Sequence, residues 1–272
     1  MKKVVLGTLL IVALFSLSLP AIVSAIATGY GCTNYSAIVT PTIDGKWTAS
    51  NEWTDAGVPT NPPTNFAWRE KWTWPGDINQ HILIEFFTDS TNNTEDYYQI
   101  CYDRNADGGA APQADDIKIE WKGHSSSGLK VYKGNGTGWT QFTGLPAGTV
   151  VGADTLTTSP LNSNQHWVFE ITINKSNENF DISGSGYSPG IQVGVYDASN
   201  SGAGVQVWPL NSNNNPANWG LETGTTETIP ESPSILAVIA LSTIAIIGSV
   251  FLLRKRLSGS QRAVNTGLSK SF

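Results

Sequence analysis

Apolar and polar residues alternate along most of the middle of this chain. His81-Ile82-Leu83-Ile84-Glu85-Phe86-Phe87 and Tyr97-Tyr98-Gln99-Ile100-Cys101-Tyr102 read as strands. In Asp116-Ile117-Lys118-Ile119-Glu120-Trp121 the apolar residues fall strictly on one face, the period-two mark of a half-buried strand. The same reading predicts strands at 129–133, 138–142, 167–173, 191–196 and 205–208. Gly, Asn, Ser, Pro and Asp fill the gaps between them, as turns require. No helix-period stretch of useful length interrupts this series. Many short strands with such punctuation predict an all-β fold, an antiparallel β-sandwich.

The two ends break the pattern. Lys2 and Lys3 precede an apolar run from Val4 to Leu17, and Val23-Ser24-Ala25 is a small-residue cleavage site. That order predicts a signal peptide over 1–25. Residues 235–253, ILAVIALSTIAIIGSVFLL, carry no charge. At ~1.5 Å per residue they span a ~30 Å hydrocarbon core. Arg254-Lys255-Arg256 follows, and the tail adds Arg262 and Lys270 with no acid, which places that end in the cytoplasm. The expected organisation is an extracellular sandwich over 26–220, a polar stalk over 221–234, a transmembrane helix over 235–253 and a basic tail over 254–272. The protein is thus expected at the cell membrane, single-pass, with its main domain outside.

Charge narrows the partners. Seven of the 16 bases lie in the signal and tail, leaving nine against all 22 acids, a net charge of −13. Such a field repels nucleic acid and favours cations or neutral polar partners. Cys32 and Cys101 would sit where a disulfide persists, and a bridge would tie the mature N-terminus to a central strand; two unpaired thiols are the other reading. Asn34, Asn92, Asn135 and Asn174 begin N-x-S/T sequons, as suits a surface domain.

Three features could carry chemistry. Asp103-Arg104-Asn105-Ala106-Asp107-Gly108, followed by Asp115-Asp116, supplies oxygen ligands at alternate positions and a glycine to turn the chain, as Ca²⁺ wants. An EF-hand would need an acid where Ala114 stands, so the expectation is a calcium loop between two strands; a solvated acidic turn is the alternative. The second feature is tryptophan: all ten lie in the expected ectodomain. Trp121 and Trp167, inside alternating strands, are expected in the core. Trp47, Trp53, Trp139, Trp208 and Trp219 sit in or beside turn-like segments, and loop tryptophans offer flat faces for sugar rings. Trp72, Trp74 and Trp139 are the expected platforms for a glycan or cell-surface polysaccharide. Third, Gly186-Tyr187-Ser188-Pro189-Gly190 matches a G-x-S-x-G nucleophile pattern. That elbow needs a helix after the serine, whereas Ile191-Gln192-Val193-Gly194-Val195 alternates like a strand, so it reads as a turn. No His/Cys metal-ligand spacing and no phosphate loop appears, and no enzyme is expected.

Ile43-Asp44-Gly45-Lys46-Trp47, continuing to Glu52-Trp53-Thr54-Asp55-Ala56, resembles the opening of the DOMON-like superfamily, which includes family-9 carbohydrate-binding modules. The acidic loop at 103–116, the Trp167-Val168-Phe169-Glu170-Ile171-Thr172-Ile173 strand and Gly194-Val195-Tyr196-Asp197 resemble later segments of those modules in order. The resemblance implies a jelly-roll-type sandwich, bound calcium of structural role, and sugar binding by aromatic residues. Haem-binding relatives use an axial methionine, but the one Met here is Met1, which leaves only a bis-His or His/Lys site. Ile229-Pro230-Glu231-Ser232 before the apolar span is similar to archaeal PEF-type surface-sorting tails, with Ser232 in place of Phe. Together these readings predict a membrane-anchored, non-catalytic carbohydrate-binding surface protein; a haem redox domain and a purely structural adhesion protein are the alternatives.

Overall fold

The computed structural model describes residues 27, 29–73, 78–180 and 188–225. Its strands are β1 (Gly31–Ser36), β2 (Phe66–Thr73), β3 (Asn79–Phe86), β4 (Tyr97–Asp103), β5 (Ile117–Lys122) and β6 (Leu129–Gly134). They continue with β7 (Trp139–Phe142), β8 (Val150–Thr157), β9 (His166–Asn174), β10 (Gly190–Tyr196), β11 (Gln206–Trp208) and β12 (Gly220–Gly224). Among the described residues only short 3-10 turns interrupt them, at Ser126–Gly128, Ala198–Ala203 and Pro216–Asn218. Among the described residues no helix is long and apolar enough to cross a membrane. The expected signal peptide and the expected span at 235–253 lie outside the described residues.

Two sheets share β1. The front sheet runs β7-β6-β5-β4-β10-β12-β1, with β11 paired to β10 beside β12, and the back sheet runs β1-β2-β3-β9-β8. Strand β1 pairs in parallel with β12 through residues 31–34 and with β2 through 35–36, so it crosses from one sheet to the other. The remaining ladders are antiparallel.

Alternation sorts each strand onto two faces. Tyr98, Ile100 and Tyr102 of β4, Ile117, Ile119 and Trp121 of β5, and Ile191, Val193 and Val195 of β10 point inward from the front. Phe66 and Trp68 of β2, Ile82, Ile84 and Phe86 of β3, and Trp167, Phe169, Ile171 and Ile173 of β9 meet them from the back. Tyr98 stacks on Phe169 at 4.7 Å and Trp68 meets Trp208 edge-on at 5.0 Å, locking the two layers together. Seven of the nine described tryptophans are buried: 47, 53, 68, 121, 167, 208 and 219. At ~25 cal/mol per Å² and ~150–250 Å² each, every one contributes roughly 4–6 kcal/mol of transfer free energy. Trp47, Trp53, Trp208 and Trp219 are therefore core residues despite their turn-like sequence surroundings.

Two further expectations are corrected here. Cys32 and Cys101 are both free and buried. Cys32 lies in the core between the sheets, whereas Cys101 alternates with the core residues Ile100 and Tyr102 and so points to the opposite face of β4. Strands β10 and β12 also stand between β4 and β1, a separation of ~14 Å at ~4.8 Å per strand, about twice what a disulfide reaches. Burial pushes both thiols well up, so they stay protonated. Leu221 to Gly224, expected in the stalk, pair with β1 instead.

Candidate functional site

The outer face of the back sheet is covered by the chain's own residues 37–57. Trp47, Trp53 and Ala56 pack on Leu83 of β3 and Val168 of β9 as a second, smaller core. Glu170 of β9 holds this flap: its Oε2 accepts from the backbone N–H groups of Asp44, Gly45 and Lys46 at 2.9, 2.9 and 3.3 Å. Its Oε1 accepts from Trp53 Nε1 at 2.8 Å. Burial pushes Glu170 up to about 7 against the pull of these donors. Gly45 sits in the left-handed region with φ +75°, and a Cβ there would lie 2.6 Å from the Asp154 backbone. Lys71 of β2 forms a 2.7 Å ion pair with Asp55 and donates to the carbonyls of Val39 and Glu52. Two motif segments more than a hundred residues apart thus form one anchoring device.

The outer face of the front sheet is different. Strand pairing places Lys118 of β5 between Cys101 of β4 and Tyr132 of β6, and Glu120 between Gln99 and Lys130. Trp139 and Gln141 of β7 continue the same face opposite Gly134 and Tyr132. Lys118 Nζ donates to Glu120 Oε2 at 2.9 Å and lies 4.3 Å from the Tyr132 ring centre and 5.9 Å from that of Trp139. Tyr132 donates to Glu120 Oε1 at 3.2 Å; burial and Glu120 push its hydroxyl up to about 12, so it remains a donor. Gln99 donates to Gln192 Oε1 at 2.6 Å. The half-buried Trp139 ring runs near-parallel to Trp219, 5° apart at 6.3 Å, and its Nε1 donates to Asn214 Oδ1 at 2.8 Å. An aromatic face beside a cation and a carboxylate can meet both the C–H groups and the hydroxyls of a polyol. Of this set only Trp139 was expected as a site residue. The signal for the rest was the polar half of the alternating strands, where Lys118 and Glu120 recur at spacing two.

The acidic loop lies at the end of this face. One oxygen from each of Asp103, Asp107 and Asp115 lies within 4.8 Å of the others. Asp103 Oδ1, Asp115 Oδ2 and Asp116 Oδ1 are buried with no hydrogen-bond partner. Burial pushes Asp103 up to about 6 and Asp116 up to about 8. An all-oxygen set with orphaned acceptors fits a hard cation such as Ca²⁺. Asn105 takes another role: its Oδ1 accepts from Asp107 N–H and its Nδ2 donates to Asp107 Oδ2, so it shapes the turn. The loop also props both walls of the front face. Gly134 and Gly136, at the β6–β7 turn, donate to the carbonyls of Asp116 and Pro112 at 3.0 and 2.8 Å, and Ala217 donates to Gly109 at 3.1 Å. A Cβ at Gly134 would lie 2.0 Å from the Gln113 carbonyl oxygen.

The other expected residues scatter. Trp72 is half-buried on β2, with Nε1 donating to the Thr225 carbonyl at 2.7 Å; it belongs to the back sheet, so it forms no common platform with Trp139. Trp74 lies outside the described residues. Asn34 is buried and its Nδ2 donates to Glu222 at 3.0 Å, so the amide a glycan would need is engaged inside the fold. Asn92 and Asn135 are exposed and Asn174 is half-buried. Ser188 is followed by β10 and not by a helix. The three histidines occupy separate surroundings: His81 bonds to Thr73 and Thr172, His124 to Asp96 and Asp154, and His166 to Glu85 and Asn164.

No protein-family model matches the chain, and comparison with curated proteins finds no match. Among solved structures it is similar to a family-9 carbohydrate-binding module from Caldicellulosiruptor kristjanssonii in complex with cellotriose, at 17% identity and a TM-score of 0.45 over 75% of this chain and 98% of that one. The same description in complex with glucose matches at 18% identity and a TM-score of 0.44, over 74% of this chain and 100% of that one. At that level of likeness, the functional reading rests on the geometry of the front face itself.

Proposed function

We propose that this chain is a non-catalytic, calcium-stabilised carbohydrate-binding protein displayed outside the cell on one C-terminal membrane helix. The observation that carries the reading is the partly buried set Trp139, Lys118, Tyr132 and Glu120 at the β5–β7 edge of the front sheet's outer face. A sugar ring stacks on Trp139 through its C–H face, while Lys118 and Glu120 exchange their mutual bond for bonds to hydroxyls. The ligand is a neutral glycan, because the ectodomain's net charge of −13 repels polyanions.

Asp103, Asp107 and Asp115, with Asp116 beside them, hold the calcium ion. Its charge offsets the clustered carboxylates and stiffens the loop that props β6–β7 and the turn before Trp219. The uncharged run at 235–253 and the bases after it support the anchor, and Ile229-Pro230-Glu231 supports an archaeal type of surface tail. Pull-down on insoluble neutral polysaccharides and a glycan array, with and without Ca²⁺, test the reading. Binding that is stronger with Ca²⁺ is expected. No binding in either condition leaves a structural surface protein, and a Soret band in the purified chain revives the haem alternative.

A further inference from the structure

A second cluster lies between the sheets, away from the acidic loop. One donor atom each of Asp89, Asp96 and His124 falls within 4.8 Å of the others. Asp89 and Asp96 come from the β3–β4 connection and His124 from the turn after β5. Asp89 Oδ1 accepts from Thr91, but Asp89 Oδ2 is buried without a partner. The Tyr98 hydroxyl, also buried and unpartnered, sits in the field of Asp154, Asp89 and Asp96. Three carboxylates therefore face one imidazole in a region shut off from water; the side chains of His124, Asp96 and Asp154 are no more than 3% exposed.

The imidazole is held in the way a metal ligand is held. Its Nδ1 lies 2.6 Å from Asp154 Oδ2, so Asp154 accepts the Nδ1 proton and orients the ring with Nε2 toward the Asp89–Asp96 carboxylates. Nε2 faces Asp96 Oδ2 at 3.2 Å, a spacing that suits two ligands of one small cation. Trp167 stacks on the ring at 3.5 Å and 13°, which fixes its plane. A carboxylate–histidine pair aimed at further carboxylates is the usual outer support of a zinc-class site.

We propose that Asp89, Asp96 and His124 bind one divalent transition-metal ion of the zinc class, with Asp154 as the positioning residue. Nitrogen plus two carboxylates selects such an ion over Ca²⁺, which prefers oxygen alone. The ion would clamp the β3–β4 connection, the turn after β5 and, through the bond from Ala198 N–H to Asp96 Oδ1 at 2.7 Å, the segment after β10.

The test is equilibrium dialysis of the full chain in detergent against Zn²⁺, with excess Ca²⁺ present to fill the acidic loop, followed by elemental analysis. One bound zinc per chain is expected, with Co²⁺ giving the visible absorption of a four-coordinate site. Asp89→Asn and His124→Gln should abolish the stoichiometric zinc, Asp154→Asn should weaken it ~10–100-fold, and Asp107→Asn in the acidic loop should leave it intact. Asp89→Asn keeps the side chain's shape and the oxygen that Thr91 bonds to, so it guards against loss through misfolding; its melting temperature without metal should match the parent. No bound zinc in the parent chain, or zinc unchanged by Asp89→Asn and His124→Gln, overturns the proposal and leaves an Asp96–His124–Asp154 hydrogen-bonded triad. Glycan binding can fail with the zinc result standing, so the two readings fall separately.

Discussion

The outer faces of the back and front sheets both carry tryptophan, lysine and glutamate, yet they bond them differently. On the back, Glu170 and Lys71 are fully buried and directed at the chain's own backbone, and Trp47 and Trp53 close over Leu83 and Val168. On the front, Lys118, Glu120 and Tyr132 bond to one another, side chain to side chain, and Trp139 keeps part of its ring in solvent. A carboxylate satisfied by backbone donors cannot release them without unfolding its loop. A side-chain pair that keeps some contact with solvent, as Lys118 and Glu120 do, can trade partners for a ligand without unfolding a loop. The back face thus reads as structure and the front face as a surface for recognition.

Substitutions should separate the two faces, and the largest effect is expected on the back. Glu170→Ala removes the acceptor for four donors and should destabilise the domain by at least ~3 kcal/mol in denaturant unfolding, while glycan affinity below the melting point is kept. A change under ~1 kcal/mol would deny Glu170 its anchoring role.

Next come two glycines. Gly45→Ala meets the Asp154 backbone at positive φ and should cost about 2–3 kcal/mol with saccharide affinity unchanged. Gly134→Ala, which meets the Gln113 carbonyl, should cost a similar amount and also weaken saccharide binding, because it separates the acidic loop from the β6–β7 turn. Equal effects of the two on binding would erase the distinction between the faces.

The acidic loop gives a smaller, pH-dependent effect. Burial raises Asp103 to about 6 and Asp116 to about 8 above an ordinary value of 3.8. Without metal, the folded form holds protons that the unfolded form has lost. Their stabilising contribution is therefore complete below pH 3.8 and is lost as pH rises through 6 to 8. The gain in melting temperature on adding Ca²⁺ should accordingly widen from pH 5 to pH 8, on the order of a few degrees. A constant gap, or none, counts against a calcium loop. The smallest expected effect is that of reductant: with Cys32 and Cys101 free, dithiothreitol should leave the melting temperature unchanged.

Sequence pattern revealed the strands whose inner positions are uniformly apolar and missed those whose are not. Glu70 occupies an inward position of β2 beside Gln80, and it conceals the alternation of Phe66 and Trp68. Strands β1 and β12 are short, polar and glycine-containing, and they are held by pairing with distant segments that no local window contains. The acidic loop was legible because its carboxylates lie close together in the sequence. The front face was only partly legible, since Lys118, Tyr132 and Trp139 converge through strand pairing and not through sequence proximity. The same holds for His124, whose partners lie 28 and 30 residues away.

The central claim is that the Trp139 edge of the front face takes a neutral saccharide, and Trp139 tests it most directly. Isothermal titration of the full chain and of Trp139→Ala, in Ca²⁺, against whichever neutral oligosaccharide the array selects would measure both affinity and heat. The account predicts at least a tenfold loss of affinity at a melting temperature within a few degrees of the parent, about 1.4 kcal/mol or more in binding free energy. Equal affinity in the two proteins would contradict it.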